Sequence, residues 1–230
     1  MSDNVFIFGH PLIQHKVSLL RDKNTSMKDF RDLVDEISML MVYEITKDFE
    51  LVETEIETPM ARTRTKVLSD RKVSLVPILR AGIGMVHGIQ QLLPNARVGH
   101  IGLYRDHDTH EPVEYYCKLP LDVADSTVIV LDPMFATGGS IAAALKILYA
   151  KGCTDLRLVC IVAARYGVER IARDFPEVKI YCAAFDEELN PNAYIVPGLG
   201  TPATAYSAPS KLRKCPQALV FYGIPHGRSS

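Results

Sequence analysis

The chain contains 230 residues, of which 47% are apolar and 23% are charged, and its 26 basic side chains nearly balance 27 acidic ones. This composition is typical of a globular protein and excludes the collagen-like and intrinsically disordered classes. With a net charge of −1 and a pI near 6.7, the chain lacks the basic excess typical of nucleic-acid-binding proteins, so we expect no nucleic-acid partner.

The cysteines and the first residues indicate a cytoplasmic protein. The five cysteines form no CxxC pair and have no metal-ligand spacing with histidine, so we expect free thiols, as in a reducing cytosol. The N-terminal residues contain one apolar run, at 5–8, which Gly9 ends. This run is far too short for a secretory signal or a membrane span, and we expect no membrane partner.

Two helices are predicted before residue 50. Pro11 suits the first turn of a helix, and apolar side chains follow it at helical spacing. Ser26, with Asp29 three positions later, is a capping pattern for a second, longer helix. The apolar residues of that helix are spaced to form a buried stripe, which consists of Phe30, Val34, Ile37 and Met41.

After residue 50 the pattern changes to strands. Residues 51–59 alternate between apolar and polar side chains, which predicts one strand. Short runs rich in β-branched residues then follow at 73–79, 127–132, 156–162 and 178–184. Such runs, alternating with helical patterns, predict an α/β fold: a parallel sheet with helices on both faces. The N-terminal helices and a two-stranded β-hairpin excursion at 97–119 are predicted additions to this sheet.

The most informative segment is residues 126–152. Its apolar strand ends in an acid, Asp132, and the sequence TGGS at 137–140 then opens a helix. Glycines let the backbone approach a ligand and point successive N–H groups at it. The helix N-terminus favours a phosphate by about 0.3–1 kcal/mol. Asp132 can accept hydrogen bonds from vicinal ribose hydroxyls at the carboxyl edge of the sheet, where such folds bind ligands.

Other phosphate-binding motifs do not fit this segment. The chain has no GxxxxGK[ST] string, which excludes a Walker loop, and no GxGxxG after its first strand, which argues against a dinucleotide site. An ordinary strand-to-helix turn capped by glycine remains an alternative when this motif is considered alone.

The loop resembles the phosphoribosyl pyrophosphate (PRPP) loop of the type I phosphoribosyltransferases. From about residue 5 to residue 200, the chain resembles the uracil phosphoribosyltransferase family in particular. The resemblance is carried by separate strings in the family's order: GHPLIQHKVSLLRDKNTSMKDFR (9–31), VPILRAGIGM (76–85), GLYRDHDTHEPVEYYCKLP (102–120), LDPMFATGGS (131–140) and FPEVKIYCAAFDEELNPNAYIVPGLG (175–200).

The resemblance implies a pentosyltransferase of pyrimidine salvage that converts uracil and PRPP to UMP and pyrophosphate. Asp132, which would hold the ribose hydroxyls, and Arg105 are the implied catalytic residues. The implied PRPP-binding residues are Arg80, Arg105, Asp132, Pro133, Met134, Phe135, Ala136, Thr137, Gly138, Gly139, Ser140 and Thr201. The implied uracil-binding residues are Ile195, Gly200, Thr201 and Pro202.

The resemblance also carries expectations about cofactors and assembly. Mg²⁺ is expected to arrive on the pyrophosphate of PRPP, since the sequence offers no dedicated metal site. Some relatives are activated by GTP, which makes GTP a possible allosteric ligand here. The family forms homodimers or larger homo-oligomers. The acidic and histidine-containing residues at 106–111 resemble a metal cluster, but consecutive side chains of an extended segment diverge, so we expect a solvated loop.

The resemblance breaks after Gly200. The family continues with Asp-Ala-Gly-Asp-Arg, whereas this chain reads Thr-Pro-Ala-Thr-Ala at 201–205. Thr201 replaces a carboxylate expected near PRPP, and Pro202 has no backbone N–H. Deleting one base in codon 201 of Gly-Asp-Ala-Gly-Asp-Arg can give Gly-Thr-Pro-Ala-Thr-Ala. We therefore expect one phosphoribosyltransferase domain at 1–205 and an atypical, out-of-frame tail at 206–230.

Two alternative functions remain at this point. The altered residues after Gly200 allow a catalytically impaired paralogue or frame variant of the same enzyme. A regulator with the same fold, which binds a nucleotide and a nucleic acid without turnover, is the other alternative, although the near-neutral charge argues against it. A smaller departure is Arg165, which stands where the family has proline and which we expect to add a cation near the site.

Overall fold

The computed structural model describes residues 2–105 and 112–199, and of Arg105 only the backbone. The predicted site residues Gly200, Thr201 and Pro202, the boundary at 205 and the tail at 206–230 lie outside the described residues, as does the segment at 106–111.

The first half of the chain supplies three helices and seven strands. It runs through β1 (Val5–Ile7), α1 (Pro11–Arg21), α2 (Met27–Ile45), β2 (Leu51–Glu57), β3 (Arg62–Leu68), β4 (Val73–Leu79), a 3₁₀ turn (Ala81–Met85), α3 (Val86–Leu92), β5 (Arg97–Val98), β6 (His100–Arg105) and β7 (Pro112–Lys118). The second half continues through a 3₁₀ turn (Val123–Asp125), β8 (Thr127–Leu131), β9 (Met134–Phe135), α4 (Gly139–Ala150), β10 (Asp155–Ala164), α5 (Arg165–Asp174), β11 (Lys179–Asp186), β12 (Glu188–Leu189) and β13 (Ile195–Val196).

The main sheet has the strand order β1-β11-β10-β8-β4-β6-β7, with β5 beside β4 and β9 beside β10. Among the described residues, every neighbouring pair from β1 through β6 is parallel, and β7 at the edge is antiparallel. The four apolar runs predicted as strands are the central strands β4, β8, β10 and β11. The predicted parallel sheet is therefore confirmed.

Helices cover both faces of this sheet, because side chains alternate along its strands. Leu75 of β4 packs with α1, α2 and α3 in one buried cluster. Its neighbour Val76 packs with α4 and α5 in a second buried cluster on the other face. Each central strand contributes to both clusters, which explains why its sequence is continuously apolar rather than alternating.

The N-terminal helices begin as predicted. Pro11 is the first residue of α1. The Ser26 hydroxyl accepts a hydrogen bond from the Asp29 N–H over 3.1 Å and donates one to the Asp29 carboxylate over 2.7 Å. This reciprocal capping satisfies a helix N–H that would otherwise have no partner. The predicted apolar stripe of α2 is buried, with Phe30 at its margin.

Three parts of the chain differ from expectation or went unpredicted. The excursion at 97–119 is part of the main sheet, since β6 pairs in parallel with β4 before β7 folds back on it. The short run at 5–8 forms β1, which pairs in parallel with β11. The alternating strand β2 pairs with β3, and in the described part of the chain these two strands form a separate hairpin whose side chains are almost all exposed.

Candidate functional site

Asp132 and Arg80 lie at the carboxyl ends of two neighbouring parallel strands. Pro77 of β4 is in register with Leu131, the last residue of β8. The turn after Arg80 packs directly against the end of β8, because a Cβ added to Gly82 would lie 2.3 Å from the Leu131 carbonyl oxygen. The Arg80 side chain is exposed at this edge. The structure therefore brings these two predicted residues to the same edge of the sheet.

Asp132 lies in a largely buried position that still reaches the surface. Its N–H donates to the Val159 carbonyl over 3.2 Å, and its carboxylate accepts from the Met134 N–H over 3.3 Å. Burial raises the pKa of Asp132 to about 7, and the Met134 hydrogen bond offsets this only in part. A carboxylate in this position gains from additional hydrogen-bond donors such as hydroxyl groups.

The loop at 133–140 is attached to β10. The Pro133 carbonyl accepts from the Ile161 and Val162 N–H groups over 3.2 and 3.0 Å. Met134 and Phe135 then pair with β10 as the short strand β9. Phe135 as a whole is 0% exposed, so neither its side chain nor its backbone reaches the surface where a ligand would bind. The start of the predicted PRPP loop is thus part of the sheet.

The glycines of the loop stand where α4 begins. Gly138 caps this 12-residue helix with φ of +78°, a left-handed conformation that side chains disfavour. A Cβ at Gly138 would also lie 3.1 Å from the Phe135 ring and 3.2 Å from Ile171. The buried face of α4 is apolar, so the helix is fixed against the sheet while its first N–H groups remain at the carboxyl edge.

Helix α5 packs against the same loop, which the sequence alone did not reveal. A Cβ at Gly167 would lie 2.3 Å from the Ala136 carbonyl oxygen and 2.7 Å from the Phe135 ring. Arg170 donates to the Thr137 carbonyl over 3.3 Å. Glycine at 167 is therefore required for the close approach of α5 to the loop.

The segment around Ile195 is held by side chains that sequence reasoning also missed. Ile195 is buried and pairs with Leu189 in the β12–β13 hairpin. Three residues later, the Gly198 N–H donates to Asp186, the last residue of β11, over 2.9 Å. The Gly198 carbonyl accepts from Arg21, the last residue of α1, over 2.9 Å. The signal in the sequence is weak, because both charged residues stand at ordinary element ends.

Of the two other arginines considered from the sequence, Arg105 is described only in its backbone and Arg165 in full. The backbone of Arg105 ends β6, opposite Pro112, while its side chain lies outside the described residues. Arg165 forms ion pairs with Glu187 and Glu169 and lies over the Phe185 ring at 5.4 Å. The hydrogen bonds that Arg165 donates to these glutamates raise its pKa. The expected extra cation at the site is therefore paired with two carboxylates.

Within residues 2–105 and 112–199, no three histidine, cysteine or acidic side chains are grouped as a metal site. No helix in these ranges has the length and apolar character needed to cross a membrane. A cavity of about 370 Å³ lies at the opposite, amino-terminal end of β4, between Phe49, Arg71 and Arg97. None of the predicted site residues lines that cavity.

Comparison with known proteins identifies the family. Residues 7–203 match the family model for uracil phosphoribosyltransferase. The chain belongs to the uracil phosphoribosyltransferase family. A protein of that name from Alkaliphilus metalliredigens is 61% identical over 196 residues, which cover 85% of this chain and 94% of the relative. A second, from Clostridium botulinum, is 58% identical over 192 residues, which cover 84% of this chain and 92% of the relative.

A solved structure has the same fold. The AQ2163 protein from Aquifex aeolicus is 38% identical and superposes with a TM-score of 0.81, over 89% of this chain and 98% of that one. The resemblance to the uracil phosphoribosyltransferase family and the assignment to the pentosyltransferases are thus confirmed. The roles of individual residues stay predictions.

Proposed function

We propose that this member of the uracil phosphoribosyltransferase family transfers the phosphoribosyl group of PRPP to uracil, forming UMP and pyrophosphate. The observation that carries the proposal is the joint placement of Asp132, the Arg80 turn and the glycine loop at one carboxyl edge. PRPP requires an acid for its ribose hydroxyls, a cation for its pyrophosphate and N–H donors, such as those of a helix N-terminus, for its 5′-phosphate.

The 5′-phosphate is assigned to the loop from Ala136 to Ser140. The first N–H groups of α4 have no partner within the helix, and the helix dipole places partial positive charge there. Because Gly138 and the Phe135–Gly167 contact fix the loop, these donors are oriented before the substrate arrives. Pro133, Met134 and Phe135 support the loop through their attachment to β10 rather than through side-chain contact.

The ribose is assigned to Asp132. Two vicinal hydroxyls can donate to its carboxylate and thereby favour the ionised form, which burial alone disfavours. Displacement at the anomeric carbon passes through an oxocarbenium-like state, in which positive charge develops on the sugar. A carboxylate held beside the ribose stabilises that charge, so the enzyme contributes positioning and electrostatics rather than a covalent nucleophile.

The leaving pyrophosphate is assigned to Arg80 and Arg105, with Mg²⁺ bound to the substrate. An arginine fork binds two phosphate oxygens and keeps its charge at any physiological pH. Mg²⁺ typically combines a carboxylate or two with substrate phosphates and water. Asp132 offers one carboxylate beside the proposed substrate, which fits an ion held mainly by substrate oxygens.

Uracil is assigned to the segment from Ile195 through Gly200, Thr201 and Pro202. Buried Ile195 and Leu199 anchor the described part of this segment, and an anchored backbone beside apolar side chains suits the recognition of a planar base. Thr201 and Pro202 supply neither the carboxylate nor the amide N–H that the family has at these positions. We therefore expect uracil recognition to be weakened more than PRPP binding.

The test compares UMP formation by the chain as given with that of a variant whose residues from 201 onward are replaced by Asp-Ala-Gly-Asp-Arg and a short ending. We expect both proteins to bind PRPP, about tenfold more weakly without the carboxylate, and only the variant to turn over efficiently. Equal turnover by the two proteins would show that the segment after Gly200 is not part of the working site. Undetectable PRPP binding in both proteins would refute the proposal.

The remaining expectations are tested in the same preparation. A homodimer or larger assembly predicts a mass above 25.6 kDa in light scattering. Activation by GTP predicts a higher rate at a fixed PRPP concentration. A nucleic-acid-binding regulator instead predicts a gel shift with RNA or DNA at moderate salt, without UMP formation.

A further inference from the structure

Arg21 and Asp186, which lie 165 residues apart in the sequence, form an ion pair through two hydrogen bonds. The Arg21 side chain donates from Nη1 to Asp186 Oδ2 over 2.8 Å and from Nη2 to Asp186 Oδ1 over 2.7 Å. Arg21 ends α1, and Asp186 ends β11 at the carboxyl edge of the sheet. Parallel hydrogen bonds of this kind fix orientation as well as distance.

The same ion pair holds both backbone polar groups of Gly198. The Gly198 N–H donates to Asp186 Oδ2, and its carbonyl accepts from Arg21 Nη1, each over 2.9 Å. Gly198 adopts φ of +65°, and a Cβ there would lie 2.3 Å from the Ile195 carbonyl oxygen. The backbone between Ile195 and Leu199 therefore has a tight turn whose apex is fixed by charged side chains.

Burial makes this arrangement costly to disturb. The Asp186 side chain is 5% exposed and that of Arg21 is 22% exposed. A buried carboxylate without its partner costs far more than an exposed one, so each member of the pair stabilises the charge of the other. A hydrogen bond of neutral groups alone would hold the turn less firmly.

We propose that Arg21 and Asp186 are positioning residues for uracil, which fix the backbone of the 195–199 segment without touching the substrate. The proposal rests on the assignment of this segment to uracil in the proposed function. The ion pair has no hydrogen bond to Asp132, Arg80 or the 133–140 loop among the contacts of the described residues. Uracil binding therefore depends on the pair, and PRPP binding does not.

The decisive variant is Arg21→Met, which keeps the apolar stem and removes the guanidinium fork. We expect the KM for uracil to rise about tenfold or more, since small displacements of positioning groups have large kinetic effects, while the KM for PRPP stays within about twofold. Arg21→Lys, which restores the charge but not the fork, should recover part of the loss. Lys16→Met is the matched control, because it removes a 2.7 Å ion pair to Glu36 from the same helix.

Two readouts separate this proposal from the proposed function. Hydrogen exchange should accelerate at 195–199 in Arg21→Met and stay unchanged at 133–140, whether or not the protein turns over. Kinetics are measured in the chain as given and in the variant with the restored family ending. Unchanged exchange at 195–199, or equal effects on uracil and PRPP, would overturn the positioning role. Absence of UMP formation in both parent proteins would instead refute the proposed function, and the uracil role with it.

Discussion

The carboxylate of Asp132 should destabilise the folded chain at the pH where it works. Burial raises its pKa to about 7, so above neutrality folding places a charge in a poorly solvated position. Asp132→Asn keeps the side chain's volume and an oxygen that accepts from the Met134 N–H. We expect this variant to be more stable than the parent at pH 8 and to lose UMP formation.

The magnitude follows from the change in pKa. A change in the pKa of Asp132 from 3.8 to about 7 corresponds to at most about 4 kcal/mol of folding free energy, since each pKa unit is worth about 1.4 kcal/mol. Asp132 still reaches solvent, which reduces the expected gain to about 1–3 kcal/mol. Below pH 3.8 the carboxyl is protonated in both folded and unfolded chains, so the penalty is absent. It grows as the pH rises and is complete above about 7.

Urea unfolding at pH 4.5 and pH 8 measures this difference. The stability gain of Asp132→Asn over the parent should be largest at pH 8 and should shrink toward pH 4.5. Thermal unfolding should show about 2–4 °C for each kcal/mol in a chain of this size. Asp70→Asn is the control, because Asp70 is exposed and its substitution should change neither stability nor turnover. A gain that is equal at both pH values, or a loss at pH 8, would refute the reasoning.

Two further substitutions test a close contact at the site and an ion pair at the opposite, amino-terminal end of the sheet. Gly167→Ala should lower Tm and weaken PRPP binding about tenfold or more, because its Cβ would lie 2.3 Å from the Ala136 carbonyl oxygen. Gly84→Ala, whose Cβ would lie 3.7 Å from its nearest neighbour, should change neither Tm nor PRPP affinity. Thermal unfolding followed by fluorimetry measures Tm, and a PRPP titration measures the affinity of each variant. Burial would raise the pKa of Asp48, but hydrogen bonds from Arg157 and Lys179 outweigh it and lower the pKa to about 2. Asp48→Asn should therefore cost about 1–2 kcal/mol in urea at pH 7, because the Asp48 side chain is 47% exposed and solvent screens the ion pair. The cost should disappear as the pH falls from 3.8 through about 2, and a cost that persists in acid would contradict this.

The central strands were predictable because both of their faces are buried. Strands β4, β8, β10 and β11 are continuously apolar, so neither their existence nor their parallel arrangement needed long-range information. The hairpin strand β3 escaped prediction because RTRTKVL has almost no buried side chains and therefore no hydrophobic alternation. The pairing of β6 with β4 was also hidden, since a pattern along one strand does not name its neighbour.

The candidate site likewise has a part that the sequence predicts and a part that it does not. Asp132 and the glycine loop form one short stretch of sequence with a recognisable pattern, and the structure places them together with the Arg80 turn. The residues that hold this site were not predictable, because each acts across the fold. Gly167 is required only by the approach of α5 to the loop, and Arg21 acts on a turn 177 residues away.

Strand β10 sets the distance between the two halves of the proposed site. The PRPP loop begins as β9, paired with β10 through Phe135 and Ala163. The uracil segment is held by Asp186 of β11, which lies in register with Ala164, the next residue of β10. Because both attachments use adjacent residues of the same strand, β10, a change in the β10–β11 register would move the proposed uracil segment relative to the proposed PRPP loop. The buried apolar side chains of these strands, from Leu158 onward, therefore fix the geometry of the proposed site as well as the stability of the fold.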